Sequence, residues 1–128
     1  MPIVRLSLLK GRTQENLAAI SDAIHNALVS DFNMPDEDRF QVITQHDPGE
    51  LIFNRTFWGG PRSDEWMLLS ILGGPAPTVK AKQAFMKTVV RNLEITGGVD
   101  PEDVFIVMQA ADTSNFSFGG GRSLVPEE

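Results

Sequence analysis

The chain has 128 residues, 41% of them hydrophobic, enough for one compact domain (1–128) whose core needs no metal or disulfide staple. With no cysteine and only His25 and His46, thiol chemistry, disulfides and the common zinc patterns are excluded, and no metal and no cofactor are expected. A formal charge of −6 with scattered lysines and arginines argues against a nucleic-acid partner; without a signal-like start or a membrane-length apolar run, the expectation is a cytoplasmic protein with no membrane contact.

The first element is IVRLSLL, residues 3–9, whose alternation predicts a strand. It is preceded by Pro2, which strands accept only at an edge or at their first position. After KGRT, with Thr13 as a helix N-cap, Leu17, Ile20, Ile24, Leu28 and Phe32 recur at three- and four-residue spacing and predict a helix that Pro35 ends. RFQVITQH (39–46) reads as a second strand, and EWMLLSIL (65–72) as a third, buried one. A Gly-Gly-Pro turn and the N-cap Thr78 introduce a helix from about Val79 to Leu93, and VFIVMQA (104–110) closes the series as a fourth strand.

The halves match at one fixed offset. Thr13 pairs with Thr78, Leu28 with Leu93, Glu37 with Glu102, Asp38 with Asp103, Phe40 with Phe105 and Val42 with Val107, every pair 65 residues apart. Caps, core positions and turn carboxylates thus repeat without a gap, which predicts two β-α-β units, about 2–47 and 65–110, followed by a tail, 111–128. The expected fold is α/β (α+β): a four-stranded sheet with two helices on one face. Its other face needs cover, for which self-association is the natural source; the insert from Pro48 to Asp64 and the tail are assigned to subunit contacts or pocket walls.

Tandem β-α-β units beginning at Met-Pro resemble the tautomerase superfamily. Within it, GRT at 11–13, DRFQ at 38–41, QHDPGE at 45–50, RSD at 62–64 and FSFGGGR at 116–122 are similar to the malonate semialdehyde decarboxylase-like group. The resemblance implies a homotrimer in which the amino-terminal proline, Pro2 here once Met1 is removed, and the aspartate at Asp38 are catalytic. That group also uses an Arg-Pro-Arg stretch after the third strand, where this chain has Gly74, Pro75 and Ala76, so both guanidinium groups are missing. Arg12 matches the arginine that short relatives similar to 4-oxalocrotonate tautomerase use on a substrate carboxylate.

A terminal secondary amine can take or give a proton. Burial favours its neutral form, and a neighbouring carboxylate at Asp38 favours the cation. As a base, Pro2 would move a proton between oxygen and carbon of a small 2-oxo acid or its enol. As an acid, it would serve decarboxylation or hydration of a 3-oxo acid. Keto-enol tautomerisation asks less of the missing arginines and is the expected reaction. Phe116 and Phe118 would form an apolar wall for a phenylpyruvate-like substrate, with Arg12, Arg39 or Arg122 holding its carboxylate. The remaining alternative is a catalytically silent trimeric binding protein, in which Met1 is retained and Pro2 is an amide.

Overall fold

The structure is a computed structural model, and it describes residues 2–126; whether Met1 is retained lies outside the described residues. Its elements follow the order β1 (Ile3–Leu9), α1 (Gln14–Phe32), β2 (Gln41–His46), β3 (Met67–Leu72), α2 (Val79–Gly97) and β4 (Val104–Gln109), with short 3-10 turns at Pro101–Asp103 and Thr113–Asn115. The strands form one mixed sheet in the order β2-β1-β3-β4. Each β-α-β unit pairs its own strands in parallel, β1 with β2 and β3 with β4, and the units meet antiparallel at β1 and β3.

Local chemistry sets the helix ends. The Thr13 hydroxyl accepts from the amide of Asn16 at 3.0 Å, and Thr78 accepts from Ala81 at 3.1 Å, each satisfying an amide the helix leaves open. Helix α1 ends at Asn33 and α2 at Gly98, both left-handed. The second helix extends past the expected Leu93. Gly97 stays helical, and the chain turns only at Gly98, whose amide donates back to the Leu93 carbonyl.

The apolar stripes of both helices lie on one face of the sheet. Leu17, Ile20, Ile24 and Leu28 of α1 and Phe85, Val89 and Leu93 of α2 are buried against Val4, Leu6 and Leu8 of β1 and Met67, Leu69 and Ile71 of β3. Each such side chain contributes about 1.5–3 kcal/mol on burial. At the helix crossing a Cβ on Gly97 would lie 3.2 Å from Ile20 Cγ1, so glycine there permits the close approach. Asn16 Nδ2 donates to the Gly97 carbonyl at 2.9 Å and Asn92 Nδ2 to the Ala23 carbonyl at 3.2 Å, tying the helices together with polar bonds.

The opposite face is open. Phe40, Val42, Phe105 and Val107 stand on it, each more than two-fifths exposed. Among the described residues, no helix is long and apolar enough to cross a membrane.

Candidate active site

Parallel pairing sets the geometry of the site. The amide of Val4 donates to the Phe40 carbonyl at 3.0 Å, and Val4 stands opposite Gln41. Pro2 at the head of β1 and Asp38 in the turn leading into β2 therefore sit at the same end of the sheet. Pro2 is buried and Asp38 half-buried. The turn carrying Asp38 is closed by its own amide, which donates to the Pro35 carbonyl at 3.1 Å.

Two cavities share Pro2. One, of about 330 Å3, opens between the end of α1 and the start of α2; its walls include Phe32, Met34, Gly74, Ala76, Lys82 and Met108. The other, of about 210 Å3, lies toward the open face and is lined by Ile3, Phe40, Phe116, Ser117 and Phe118. The Phe40 and Phe118 rings meet edge to face at 5.2 Å between centroids, and Phe116 stacks on Phe118 at 6.5 Å. The tail thus brings both expected phenylalanines to Pro2.

The expected arginines are placed differently. Arg12 follows the other end of β1 and is committed there, donating to Asn16 Oδ1 and to the Glu65 carbonyl, both at 2.9 Å. Within one chain it does not reach the Pro2 end. Arg39 lies near that end, but its guanidinium turns back onto α1, donating to Ser21 Oγ at 2.8 Å and Asp22 Oδ1 at 2.7 Å. Arg122 is exposed in the tail and lines neither cavity.

Lys82 was not singled out from the sequence, and it is the one cation among the described residues that lines either cavity. The signal that could have found it is its place one helical turn beyond the Thr78 cap, in the helix that follows the Gly-Gly-Pro turn. Among the described residues, no group of three or more histidine, aspartate or glutamate side chains is placed to hold a metal ion.

Comparison with known proteins points one way. Two family models described as tautomerase enzyme match, one over residues 38–119 and one over residues 2–56. "Probable tautomerase YusQ" of Bacillus subtilis (strain 168) is 30% identical over 127 residues, spanning 99% of this chain and 100% of that protein. The crystal structure of malonate semialdehyde decarboxylase, a protein with decarboxylase and hydratase activities, superposes with a TM-score of 0.88 at 33% identity, covering 94% of this chain and 92% of that one. A fused 4-OT symmetric trimer shares the fold, with a TM-score of 0.76 at 16% identity over 94% of each chain.

Proposed function

We infer the reaction from one premise: this chain belongs to the tautomerase superfamily, whose members are enzymes. The proposed activity is keto-enol tautomerisation of a small 2-oxo acid or its enol, of the phenylpyruvate type, with Pro2 as the catalytic base and acid after removal of Met1. The observation that carries it is the position of Pro2, buried at the head of β1 between two cavities and at the same sheet end as Asp38.

The proton traffic balances without a co-reactant. Starting from the enol, the neutral Pro2 nitrogen takes the hydroxyl proton, the C2–O bond gains double-bond character, and the electron pair of the C2–C3 double bond accepts the same proton from Pro2 at C3. Asp38 orients the amine and steadies it while it is cationic. Phe116 and Phe118 supply an apolar wall for the aryl group and limit water at the amine. We further propose that three copies associate through the open sheet face. Its exposed Phe40, Val42, Phe105 and Val107 support this, as does the trimeric assembly of the fused 4-OT protein of the same fold.

Likeness to malonate semialdehyde decarboxylase favours a second reading, decarboxylation or hydration of a 3-oxo acid. In that reading Pro2 works as the cation, and Gly74 and Ala76 leave the substrate carboxylate without the arginine pair of the decarboxylase-like group.

One experiment decides between activity at Pro2 and a silent binding protein. Intact mass of the protein made in cells establishes the terminus, and phenylpyruvate enol ketonisation is compared in the wild type and Pro2→Ala. Loss of about 10²-fold or more is expected on substitution. Retention of Met1, or turnover that survives the substitution, would overturn the reading.

A further inference from the structure

We propose that Lys82 is the carboxylate anchor of this enzyme, so that the substrate straddles Pro2 with its acid group toward the start of α2 and its apolar group toward Phe116 and Phe118. This rests on the tautomerase reading and adds to it the residue that selects an anionic substrate.

Three observations on separate parts of the molecule converge on Lys82. The arginines are elsewhere or occupied: Arg12 is bonded at the far end of β1, Arg39 is bonded to Ser21 and Asp22, and Arg122 lines neither cavity. Lys82, in contrast, is half-buried in the larger cavity's wall, and no hydrogen bond or ion pair engages its ammonium among the described residues. Gly74 and Ala76 line the same cavity, so no large side chain stands at those two positions of its wall.

The charge pattern of the helices makes the same point. The first turn of α1 holds Glu15, as the positive helix end favours, whereas α2 has no acidic residue in its first turn and places Lys82 near that end. Such a lysine gains nothing from its own helix, and an incoming anion relieves both charges together. A carboxylate there accepts a charge-assisted hydrogen bond from Nζ.

Substrate chemistry matches the two-sided site. In a 2-oxo acid, C3 carries the exchanging proton and lies between the carboxyl-bearing C2 and the apolar substituent. Pro2 likewise lies between a cavity with a cation and a cavity walled by aromatic rings. The predicted substrate class is a monocarboxylic 2-oxo acid with an aryl or large alkyl group.

Lys82→Met keeps an unbranched side chain one atom shorter and removes the charge; Lys82→Arg restores the charge. Phenylpyruvate ketonisation and calorimetric binding of phenylacetate, which has the acid group but no 2-oxo function, are measured for both, with the exposed Lys80→Met as the control. The expected result is a KM and a phenylacetate Kd raised about ten-fold or more in Lys82→Met with a smaller change in kcat, recovery in Lys82→Arg, no change in Lys80→Met, and no effect of any variant on neutral phenylacetamide. Unchanged phenylacetate affinity in Lys82→Met, or no binding of phenylacetate by the wild type, overturns the anchor. The two readings fail separately: active wild type with an indifferent Lys82→Met removes only the anchor, and Pro2→Ala with full turnover removes the tautomerase reading.

Discussion

The two β-α-β units agree in their caps and core and differ in the turns that lead into β2 and β4. Their caps are equivalent: Thr13 and Thr78 each accept from the amide three residues on, and Asn33 and Gly98, again 65 apart, both close their helices at positive φ (52° and 64°). Leu28 and Leu93 are both buried, and Phe40 and Phe105 both stand on the open face. Yet Asp38 and Asp103, equivalent by the same offset, live in different surroundings. Asp103 is 1% exposed and accepts from the amide and hydroxyl of Ser63 at 2.7 and 2.6 Å, locking the insert onto the start of β4. Asp38 stays half-buried at the Pro2 end. Layer packing makes the same demands twice, whereas the turn leading into each parallel strand holds its carboxylate in different surroundings.

That contrast is testable first through its carboxylates. Asp38→Asn is expected to lower enol turnover by about 10²-fold while the denaturation midpoint barely moves. Asp103→Ala is expected to cost about 2–3 kcal/mol of unfolding free energy, because the Ser63 amide loses its partner, with activity per folded molecule retained. Urea titration beside kinetics measures both, and equal destabilisation by the two substitutions would break the comparison.

A smaller effect probes the similarity. Thr13→Ala and Thr78→Ala should each cost about 1 kcal/mol in the same titration, and the double variant should show the sum. A large inequality would mean that the units rely on their caps to different degrees.

The least effect concerns Asp47 and Asp112, a further pair 65 residues apart. Asp47 pairs with Lys10 at 2.8 Å, while Asp112 caps the turn Thr113–Asn115, accepting from the Ser114 amide at 2.8 Å. That bond holds the Asp112 carboxyl below its ordinary range. A carboxyl lowered in the folded state adds stability that is complete above the unfolded value and lost as pH falls through the folded one. Asp112→Asn should therefore slightly flatten the acid side of the pH–stability curve and leave neutral stability almost unchanged, as followed by thermal melts from neutral to acid pH.

Much of the architecture was legible because it depends on neighbours in sequence. The caps Thr13 and Thr78, the stripe from Leu17 to Leu28 and the alternation in β1 are local signals, and the fixed offset joined them into two units. The end of α2 was less legible, since two consecutive glycines do not say which one adopts the left-handed turn; Gly97 is held helical against Ile20. At the site, Pro2, Phe116 and Phe118 were found as neighbours from pattern and resemblance. Lys82 was missed because a lysine in VKAKQ looks like any solvent-facing helix residue, and only the meeting of the α1 and α2 ends puts it in the wall of a cavity that Pro2 also lines. Arg12 and Arg39 showed the converse: their chemistry was visible in the sequence, their prior engagement by Asn16, Glu65, Ser21 and Asp22 was not.

The antiparallel meeting of β1 and β3 has one more consequence. It sends the leading ends of the two units to opposite margins of the sheet. At one stands Pro2; at the other stands Met67, buried in the core and joined by an ordinary peptide link to Trp66. On the proposed reading of Pro2, each chain therefore carries a single reactive amine, because covalent continuity with Trp66 leaves the equivalent position an ordinary amide inside the core.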